Sequence, residues 1–557
     1  MLLSLAARCT LALLSAGLLI CSLPSPDIGW LAWIALVPLL IACNGVGPWR
    51  ASAIGFVNGF VASFGIYNWL FQLPAFGWRH AFVLATYVAL YPTLFSFALA
   101  ISNRWRVPLI LSTPALWTLV EYLRANAGFL ALPWGTLAHA QHQNLAILQF
   151  ASIAGEHGVT FLVALGNSVI AQLVLNWMAK SLSYSSLWKT EAREDFPNRT
   201  TAAKSPSIPL FHRGKQTVSR DLVLAILIIA AVHAWGALVL FTAHTGPKIR
   251  VAAVQPNIQI AERESKSGKA ESYQRLVELT KMAAAAKPDL IVWPESAVAG
   301  NLHNDDATVA TLQSLVRTIG VPIVVGAAEV QKFSSGERET TIRSRVFNSA
   351  YLLEPANGLS EPYRKRMLLP FGEYLPYEKT IPWPEWLAPK VSEMTRGENA
   401  HLFRLPNGIK VGALICWENL FAPLARDSVA SGAQILVQLT NDVWFGRTAA
   451  PLQHNLASVL RAVENRVPVV IASNSGPSQV IDTHGRVVAS VARLFSAEIV
   501  TAEVAAEPAA PVYTYLGDFF ALLMINMLII LCFWRISVNR PDPDSKVFPD
   551  DINGGAR

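Results

Sequence analysis

The sequence has little cysteine and no grouping of metal-binding side chains. Of five cysteines in 557 residues, four lie in apolar stretches, where a free thiol behaves as a small hydrophobic group; these are Cys9, Cys21, Cys43 and Cys532. They provide no disulfide framework. No His, Cys and Asp residues have the spacing of metal ligands, so we predict neither a metal nor another cofactor.

Charge is also scarce. Charged residues make up 15% of the chain, hydrophobic residues 52%, and the mean hydropathy is +0.36. This is too apolar for an ordinary soluble enzyme. The net charge of +7 does not indicate nucleic-acid binding, because no basic run is interleaved with aromatic residues. The composition predicts a membrane protein.

Apolar runs long enough to cross a hydrocarbon core of about 30 Å predict a bundle of about eight transmembrane helices. They occupy residues 9–23, 29–44, 52–72, 81–102, 107–123, 157–178, 222–243 and 517–534. The first run also resembles a secretory signal peptide. No small-x-small cleavage site precedes Pro24, so we expect this run to be retained.

Lys and Arg predict the orientation of these helices, because they accumulate on the cytoplasmic side. They are concentrated in the loop 179–221, and placing this loop inside puts the segment after the seventh helix outside the cytoplasm. We therefore predict three parts. These are transmembrane helices one to seven in residues 1–247, a periplasmic domain in residues 248–511, and the eighth helix with a cytoplasmic tail in residues 512–557.

The region 248–511 has the pattern of alternating strands and helices that is typical of an α/β layered domain. Strands are predicted at 249–254, 290–293, 321–325, 349–353, 411–416, 435–439, 468–472 and 479–482. Helices are predicted at 270–286, 306–319, 420–431 and 451–466.

Cys416 is the one cysteine outside the apolar runs, and it closes the strand-like run 410–415. A lone cysteine in this position is often structural. A nucleophilic thiol would need a base and a cation to stabilise the oxyanion that it creates. Glu295 ends another buried run, and Lys365 lies in a loop-like segment that also carries Glu373.

In this chain order, Glu295, Lys365 and Cys416 resemble the catalytic base, lysine and nucleophile of the nitrilase superfamily. Glu373 corresponds to the additional glutamate of many members, and Glu418 matches another site glutamate. Trp417 stands where a tyrosine often follows the cysteine. The resemblance implies that the α/β domain is an αββα sandwich. It also implies that Lys365 and the backbone N–H after Cys416 stabilise the oxyanion while Glu373 orients Lys365.

A nitrilase-like domain inserted before a last membrane helix resembles the apolipoprotein N-acyltransferase family. The resemblance extends to several further segments: Leu132-Pro133-Trp134, residues 371–376, residues 441–446 with Gln453-His454, and residues 514–518. It implies that Cys416 takes an acyl chain from the sn-1 ester of a phospholipid, usually phosphatidylethanolamine. The thioester then acylates the α-amino group of a diacylglyceryl-cysteine at the N-terminus of an apolipoprotein. We expect a monomer in the inner membrane, with no nucleic-acid partner.

Two other functions are open from the sequence. A membrane-tethered amidase that acts on a small amide would use the same three residues. A transporter or scaffold is suggested by helix number alone, but it would usually carry ionisable residues in mid-span, where Glu121 near a helix end is the clearest example. We expect His454 to act in packing or hydrogen bonding, and Trp383 and Trp386 either to enter the membrane interface or to pack the domain onto the helices.

Overall fold

The computed structural model describes residues 3–73, 76–191, 220–241, 246–302, 304–334, 342–387, 393–506 and 511–538. Most of the predicted cytoplasmic loop and of the C-terminal tail lies outside these ranges. The helix before this loop continues to Glu191, so the first part of the predicted loop is helical.

Within the described residues, the part before residue 248 is mainly helical. Its helices are α1 (Leu5–Cys21), α2 (Ala32–Ala35), α3 (Val37–Cys43), α4 (Pro48–Ile66), α5 (Trp78–Arg104), α6 (Leu109–Ala125), α7 (Leu145–Leu148), α8 (Ala151–Glu191) and α9 (Arg220–Val239). A turn of 3₁₀ helix, Gly29–Leu31, precedes α2 and forms one apolar segment with α2 and α3, Gly29–Cys43. Gly155, with φ of 66°, interrupts α8 after its first turn.

The predicted apolar runs coincide with helices in this part and with the last helix of the chain. Among the described residues, three helices are long and apolar enough to cross a bilayer on their own, namely Trp78–Arg104, Ala151–Ser181 and Arg220–Val239. Shorter apolar helices are Leu5–Cys21, Gly29–Cys43 and Phe519–Cys532. The total of eight spans therefore stays a prediction.

The outward faces of α5 and α9 carry large apolar side chains. On α9, Leu224 is 59% exposed and Leu238 is 70% exposed. Contiguous apolar surface of this kind is rare on soluble proteins and is typical of contact with lipid or a partner. These faces support a membrane location for the helical part.

The second part contains fourteen strands within the described residues. They are β1 (Lys248–Gln255), β2 (Leu290–Val292), β3 (Val298–Asn301), β4 (Ile323–Ser334), β5 (Ile342–Glu354), β6 (Gly358–Leu359), β7 (Tyr363–Arg364), β8 (Leu402–Arg404), β9 (Lys410–Ile415), β10 (Ile435–Thr440), β11 (Val469–Ser473), β12 (Gln479–Ile481), β13 (Val487–Ser490) and β14 (Glu498–Ala505). The eight predicted strands are among them, whereas β3, β6, β7, β8, β13 and β14 were not predicted.

The helices of this part are α10 (Ile260–Glu264), α11 (Lys266–Ala285), α12 (Asp306–Ile319), α13 (Ala422–Ala430) and α14 (Ala450–Asn465). They are followed by α15 (Val512–Leu516) and by the last helix, α16 (Phe519–Val538).

Two sheets form the centre of this domain. The first has the order β14-β1-β2-β4-β5-β6, with β3 paired to β4 and β7 paired to β5, and the second has the order β13-β12-β11-β10-β9-β8. Their inner faces share one apolar core, in which Val251 and Val292 of the first sheet lie in the same cluster as Val411 and Val437 of the second. The domain is thus a sheet-on-sheet sandwich.

A helix layer covers each sheet. α11 and α12 pack on the first sheet, where Leu276 and Leu312 join a second core. α13 and α14 pack on the other sheet, and their core continues into the helical part through Tyr67, Trp69 and Trp134. The predicted αββα sandwich is confirmed, and one of its outer layers is buried against the helical part.

Candidate active site

Cys416 lies at a sharp turn where β9 ends and a short 3₁₀ helix, Cys416–Leu420, begins. Its φ is +55°, a left-handed conformation that is costly for a residue with a Cβ. The strand fixes the residue from behind, and the turn presents its side chain at the end of the second sheet. Strained backbone at such a position is typical of functional sites.

Lys365 approaches from the first sheet. It directly follows β7, and its backbone N–H donates to the carbonyl of Asn348 on β5 at 2.8 Å. Its side chain is only 2% exposed, and its Nζ lies 2.9 Å from Glu373 Oε1 and 3.6 Å from Glu295 Oε1. The structure therefore brings together the lysine and both predicted glutamates.

Asn348 connects the two carboxylates. Its side-chain amide donates to Glu295 Oε1 at 2.7 Å and to Glu373 Oε1 at 3.2 Å. The other Glu373 oxygen accepts the backbone N–H of Leu369 at 2.8 Å. These contacts fix Glu373 beside Lys365, as expected for a residue that orients the lysine.

Burial and charge set the protonation of this group. Burial raises the pKa of Glu295 above its ordinary value of 4.5, with Lys365 opposing the shift and Glu373 adding to it. Burial opposes charge on Lys365, but Cys416, Glu373 and Glu295 together outweigh it and raise the lysine pKa. Lys365 is therefore a permanent buried cation next to a carboxylate with increased affinity for a proton.

The thiol of Cys416 is not a resting thiolate. Burial raises its pKa well above 9.0, Glu295 adds to this shift, and Lys365 only partly reverses it. Lys365 lowers the thiol pKa, but by less than burial or Glu295 raises it. A base must therefore remove the thiol proton during attack.

Glu418 holds the two sides of the site together. Its fully buried carboxylate accepts the backbone N–H of Ile415 at 2.8 Å. From the lysine segment it accepts the N–H groups of Arg366 at 2.6 Å and Met367 at 2.9 Å, and the Tyr363 hydroxyl at 2.8 Å. It thus ties the turn before Cys416 to the segment that carries Lys365. The expectation that Glu418 belongs to the site fits this bridging position.

Trp417 reinforces the same connection. Its indole N–H donates to the Met367 carbonyl at 2.7 Å, and its ring meets Phe421 edge to face at 4.9 Å. The hydroxyl that a tyrosine would offer here is replaced by an indole bond to the lysine segment.

The site borders an apolar core that the sandwich shares with the helical part. Cys416 packs against a core that contains Trp69 and Trp134. The two indole rings are 5.1 Å apart, and Trp134 stacks on His454 at 5.4 Å with an interplanar angle of 13°. The nucleophile therefore borders an apolar core shared between the helical part and the sandwich.

His454 has the hydrogen-bonding role that was expected. Its Nδ1 lies 3.0 Å from Asp442 Oδ1, and Asp442 also accepts from Thr440 and Ser473. Asp442 contributes to the raised pKa values of both Cys416 and Glu295. It acts on the site through charge, without replacing the base.

Asn348 and Asp442 were not predicted as site residues. Asn348 lies in the middle of the long strand β5. Its role becomes visible only when β7 pairs with β5 and places Lys365 beside it. Asp442 belongs to the segment 441–446 that carried the family resemblance, so its proximity had a signal in the sequence.

The aromatic loop before residue 388 packs on the helical part. Trp383 meets Phe129 at 6.4 Å and Phe371 at 5.0 Å, while the Trp386 carbonyl lies 2.5 Å from His80 Nε2. Trp386 nevertheless stays 44% exposed. Trp383 therefore packs the loop onto the helical part. Trp386 is exposed enough to enter a membrane interface.

Both parts of the chain match known protein families. Residues 250–512 match the carbon-nitrogen hydrolase family, and residues 15–169 match the apolipoprotein N-acyltransferase N-terminal domain. A protein of Geobacter metallireducens named apolipoprotein N-acyltransferase is 33% identical over 544 residues, which cover 95% of this chain and 96% of that protein. The chain belongs to the apolipoprotein N-acyltransferase family. A second relative with that name, from Chlorobaculum tepidum, is 28% identical over 88% of this chain and 89% of its own.

Among solved structures, Nit3 of Saccharomyces cerevisiae, a member of branch 10 of the nitrilase superfamily, is 21% identical. It covers 49% of this chain and 94% of its own, with a TM-score of 0.36. In this apolipoprotein N-acyltransferase, the helix layer of α13 and α14 shares one apolar core with the helical part.

Proposed function

We propose that this protein transfers a fatty acyl chain from a phospholipid to the N-terminal diacylglyceryl-cysteine of apolipoproteins, through a thioester on Cys416. The carrying observation is the convergence of Cys416 with the buried Lys365, Glu295 and Glu373 group beside an apolar core that the sandwich shares with the helical part. A small soluble amide would not need that shared core, whereas a lipid substrate would.

In the first half-reaction, Glu295 takes the thiol proton as the sulfur attacks the sn-1 ester carbonyl. The Lys365 ammonium and the backbone N–H after Cys416 stabilise the negative charge on the former carbonyl oxygen. The intermediate collapses with cleavage of the bond to the glycerol oxygen, which takes the proton from Glu295. The products are a lysophospholipid and the acyl-enzyme.

In the second half-reaction, Glu295 removes a proton from the incoming α-amino group. The amine attacks the thioester carbonyl, the C–S bond breaks, and the thiolate regains a proton. The product is an amide. Water would compete with the amine, so the apolar surroundings of Cys416 serve to exclude it.

The donor that we favour is phosphatidylethanolamine, and the acceptor is a diacylated apolipoprotein. We place the protein in the inner membrane as a monomer with eight spans and the sandwich on the periplasmic side. The distribution of Lys and Arg supports this orientation. It also puts the site next to substrates that are anchored in the outer leaflet.

Intact mass spectrometry of the detergent-purified protein with phosphatidylethanolamine tests the central step. We expect a hydroxylamine-sensitive acyl adduct on the wild type and none on Cys416→Ala. Subsequent addition of a diacylated lipopeptide should remove the adduct and produce an N-acylated peptide. A folded wild-type protein that forms no adduct would favour the small-amide hydrolase instead.

A further inference from the structure

Arg364, the residue directly before Lys365, forms an ion pair with a buried carboxylate on β4. Its Nε donates to Glu329 Oε2 at 2.7 Å and its Nη2 donates to Glu329 Oε1 at 2.6 Å. The Glu329 side chain is fully buried, whereas that of Arg364 is 32% exposed. Two parallel bonds between a guanidinium and a carboxylate fix the position and the orientation of both groups.

Further contacts keep Glu329 ionised and in place. Its carboxylate also accepts the Ser349 hydroxyl at 3.1 Å and the Gln331 side-chain amide at 2.8 Å. Burial opposes the negative charge, but the hydrogen bonds and the charge of Arg364 outweigh it and hold the pKa of Glu329 below 4.5. The guanidinium of Arg364 lies 4.7 Å from the centre of the Phe347 ring. The pair is therefore a fixed contact between the lysine segment and β4.

The ion pair and the active site lie on opposite faces of the first sheet. Arg364 on β7 pairs with Ser349 on β5, and both side chains contact Glu329. Side chains alternate between the two faces of a strand. Lys365 and Asn348, the neighbours of Arg364 and Ser349 in sequence, therefore point to the other face, where the predicted site residues meet.

The lysine segment has few backbone contacts with the sheet. β7 has two residues and pairs with β5 over these two only. Beyond them, the Lys365 N–H donates to the Asn348 carbonyl and the Lys365 carbonyl accepts the Gly397 N–H, both at 2.8 Å. The ion pair adds a connection across β5 to β4, a strand of twelve residues.

The same strand supports the segment that carries the base. The Trp293 N–H donates to the Val324 carbonyl on β4 at 2.8 Å. A Cβ on Gly326 would lie 2.5 Å from the Pro294 carbonyl oxygen and 2.8 Å from Glu295 Cα, so the two backbones are in direct contact here. β4 thus holds the base segment through its backbone and the lysine segment through a side chain.

We propose that Glu329 is a positioning residue for Lys365. Acting through Arg364, it sets the separation of Lys365 Nζ and Glu295 Oε1, which is 3.6 Å. This role rests on the function proposed above, in which the lysine and the base act together on the reaction of Cys416. A displacement of about 1 Å in a catalytic group can cost about a hundredfold in rate.

The titration of Glu295 distinguishes this role from two simpler ones. Burial raises the pKa of Glu295 and Lys365 opposes the shift, so a displaced lysine raises this pKa further. Direct loss of the negative charge of Glu329 would lower the pKa instead, and a loss of stability alone would leave it unchanged. The other charged groups that interact with Glu295 are retained in every variant: Glu373, Asp442 and Arg263.

The test uses the full-length protein in detergent micelles and three variants. Glu329→Gln removes the charge of the buried partner. Arg364→Lys keeps a cation but loses the two parallel bonds, and it provides the test if Glu329→Gln does not fold. The matched control is Glu503→Gln, which removes a carboxylate from an exposed ion pair with Lys248 in the same sheet.

Two measurements are made on each variant, with tryptophan fluorescence to confirm folding. The first is the single-turnover rate of acyl-enzyme formation, followed by intact mass across the acid limb of its pH profile. The second is the rate at which iodoacetamide alkylates Cys416 at one alkaline pH, followed by peptide mass. The second measurement needs no lipid and is therefore independent of the proposed acyl transfer.

We expect Glu329→Gln to lower the rate of acyl-enzyme formation about tenfold to a hundredfold and to move the midpoint of the acid limb to higher pH. Alkylation of Cys416 should also be slower, because Lys365 lowers the thiol pKa and does so less when it is displaced. Arg364→Lys should produce smaller changes in the same directions. Glu503→Gln should change none of the three quantities.

Two results would overturn the proposal. One is a wild-type rate and midpoint in the variants of the pair that fold. The other is a lower rate with a midpoint that is unchanged or moved to lower pH, since this would assign the effect to stability or to the lost charge. A wild-type protein that forms no acyl-enzyme contradicts the proposed function instead, and unchanged alkylation of Cys416 in Glu329→Gln would then overturn the positioning role separately.

Discussion

The two outer helix layers of the sandwich have similar sequence patterns and different surroundings. α12 buries Leu312, Leu315 and Val316 and leaves most of its remaining residues exposed or partly exposed. In α14 every residue except Leu452 is buried. Both patterns predict a helix with one apolar and one polar face, but the polar face of α14 is an interface with the helical part.

Polar contacts make that interface specific. Gln453 accepts the Trp134 indole N–H at 2.9 Å and donates to the Pro24 carbonyl at 2.6 Å. Arg461 reaches Glu156 on α8. An interface in a buried position tolerates polar groups only when they are paired. The pairing explains how a polar helix face can be enclosed between the two parts of the chain.

The largest difference between the layers should follow from removing an arginine. Arg461→Leu leaves Glu156 and Glu464 buried without their cation, and we expect a destabilisation of about 3–5 kcal/mol. Arg317→Leu on α12 removes an exposed charge and should cost less than about 0.5 kcal/mol. The free energy of unfolding of both variants, measured in detergent micelles with the same denaturant, checks the two values. Equal losses would mean that the two layers do not differ as described.

A second comparison uses two glutamates close to the lysine segment. Glu418→Gln replaces an acceptor of three backbone N–H groups by an amide that can satisfy them only in part. We expect acyl-enzyme formation to fall about a hundredfold, which corresponds to about 2.7 kcal/mol. Glu361→Gln, on the exposed approach to the same segment, should retain the wild-type rate.

The measurement is the single-turnover rate of adduct formation, with the thermal unfolding midpoint recorded for each variant. A Glu418→Gln protein with a normal rate would show that the contacts between the turn and the lysine segment do not position the reacting groups. A low rate together with a large loss of stability would point to unfolding as the cause.

A pair of glutamines provides the next comparison. Gln453→Leu removes the partner of the Pro24 carbonyl, of the Trp134 indole N–H and of the Ile66 carbonyl, to which Gln453 also donates at 3.3 Å. We expect a loss of about 2–3 kcal/mol. Gln313 on α12 donates to the Glu354 carbonyl at 2.8 Å in a partly buried position, where water can take its place. Gln313→Leu should therefore cost about 1 kcal/mol or less. Unfolding midpoints of the two glutamine variants, measured under the conditions used for Arg461→Leu and Arg317→Leu, show which loss is larger.

The sequence allowed prediction of the elements that have a local pattern. α12 was predicted with its observed bounds and α14 within one residue. Glu295, Lys365 and Cys416 were identified as a group because the segments that carry them resemble those of a known family. The short strands β6, β7 and β8 were not predicted. Each has two or three residues, too few to show alternation, and each depends on a long neighbouring strand for its pairing.

Other features depend on contacts between distant segments. Asn348 has the surroundings of an ordinary strand residue until β7 brings Lys365 beside it. The polar side of α14 has the composition of a solvated face, and only the packing of residues 24–156 against it reveals an interface. Such information is absent from a single sequence because nothing local distinguishes water from a buried hydrogen-bond partner.

The last prediction concerns Glu295, the proposed catalytic base. Glu295 must be ionised to accept the thiol proton, and burial raises its pKa. The acid limb of adduct formation should therefore have its midpoint above pH 4.5, with a rate that falls about tenfold for each pH unit below it. Above this midpoint the carboxylate is available, so the rate rises with pH until Glu295 is fully ionised. Single-turnover rates between pH 4 and 8, with tryptophan fluorescence to confirm folding, measure this limb. Glu295→Gln should have a low rate without the limb, and a limb that persists in this variant would assign the titration to a different group.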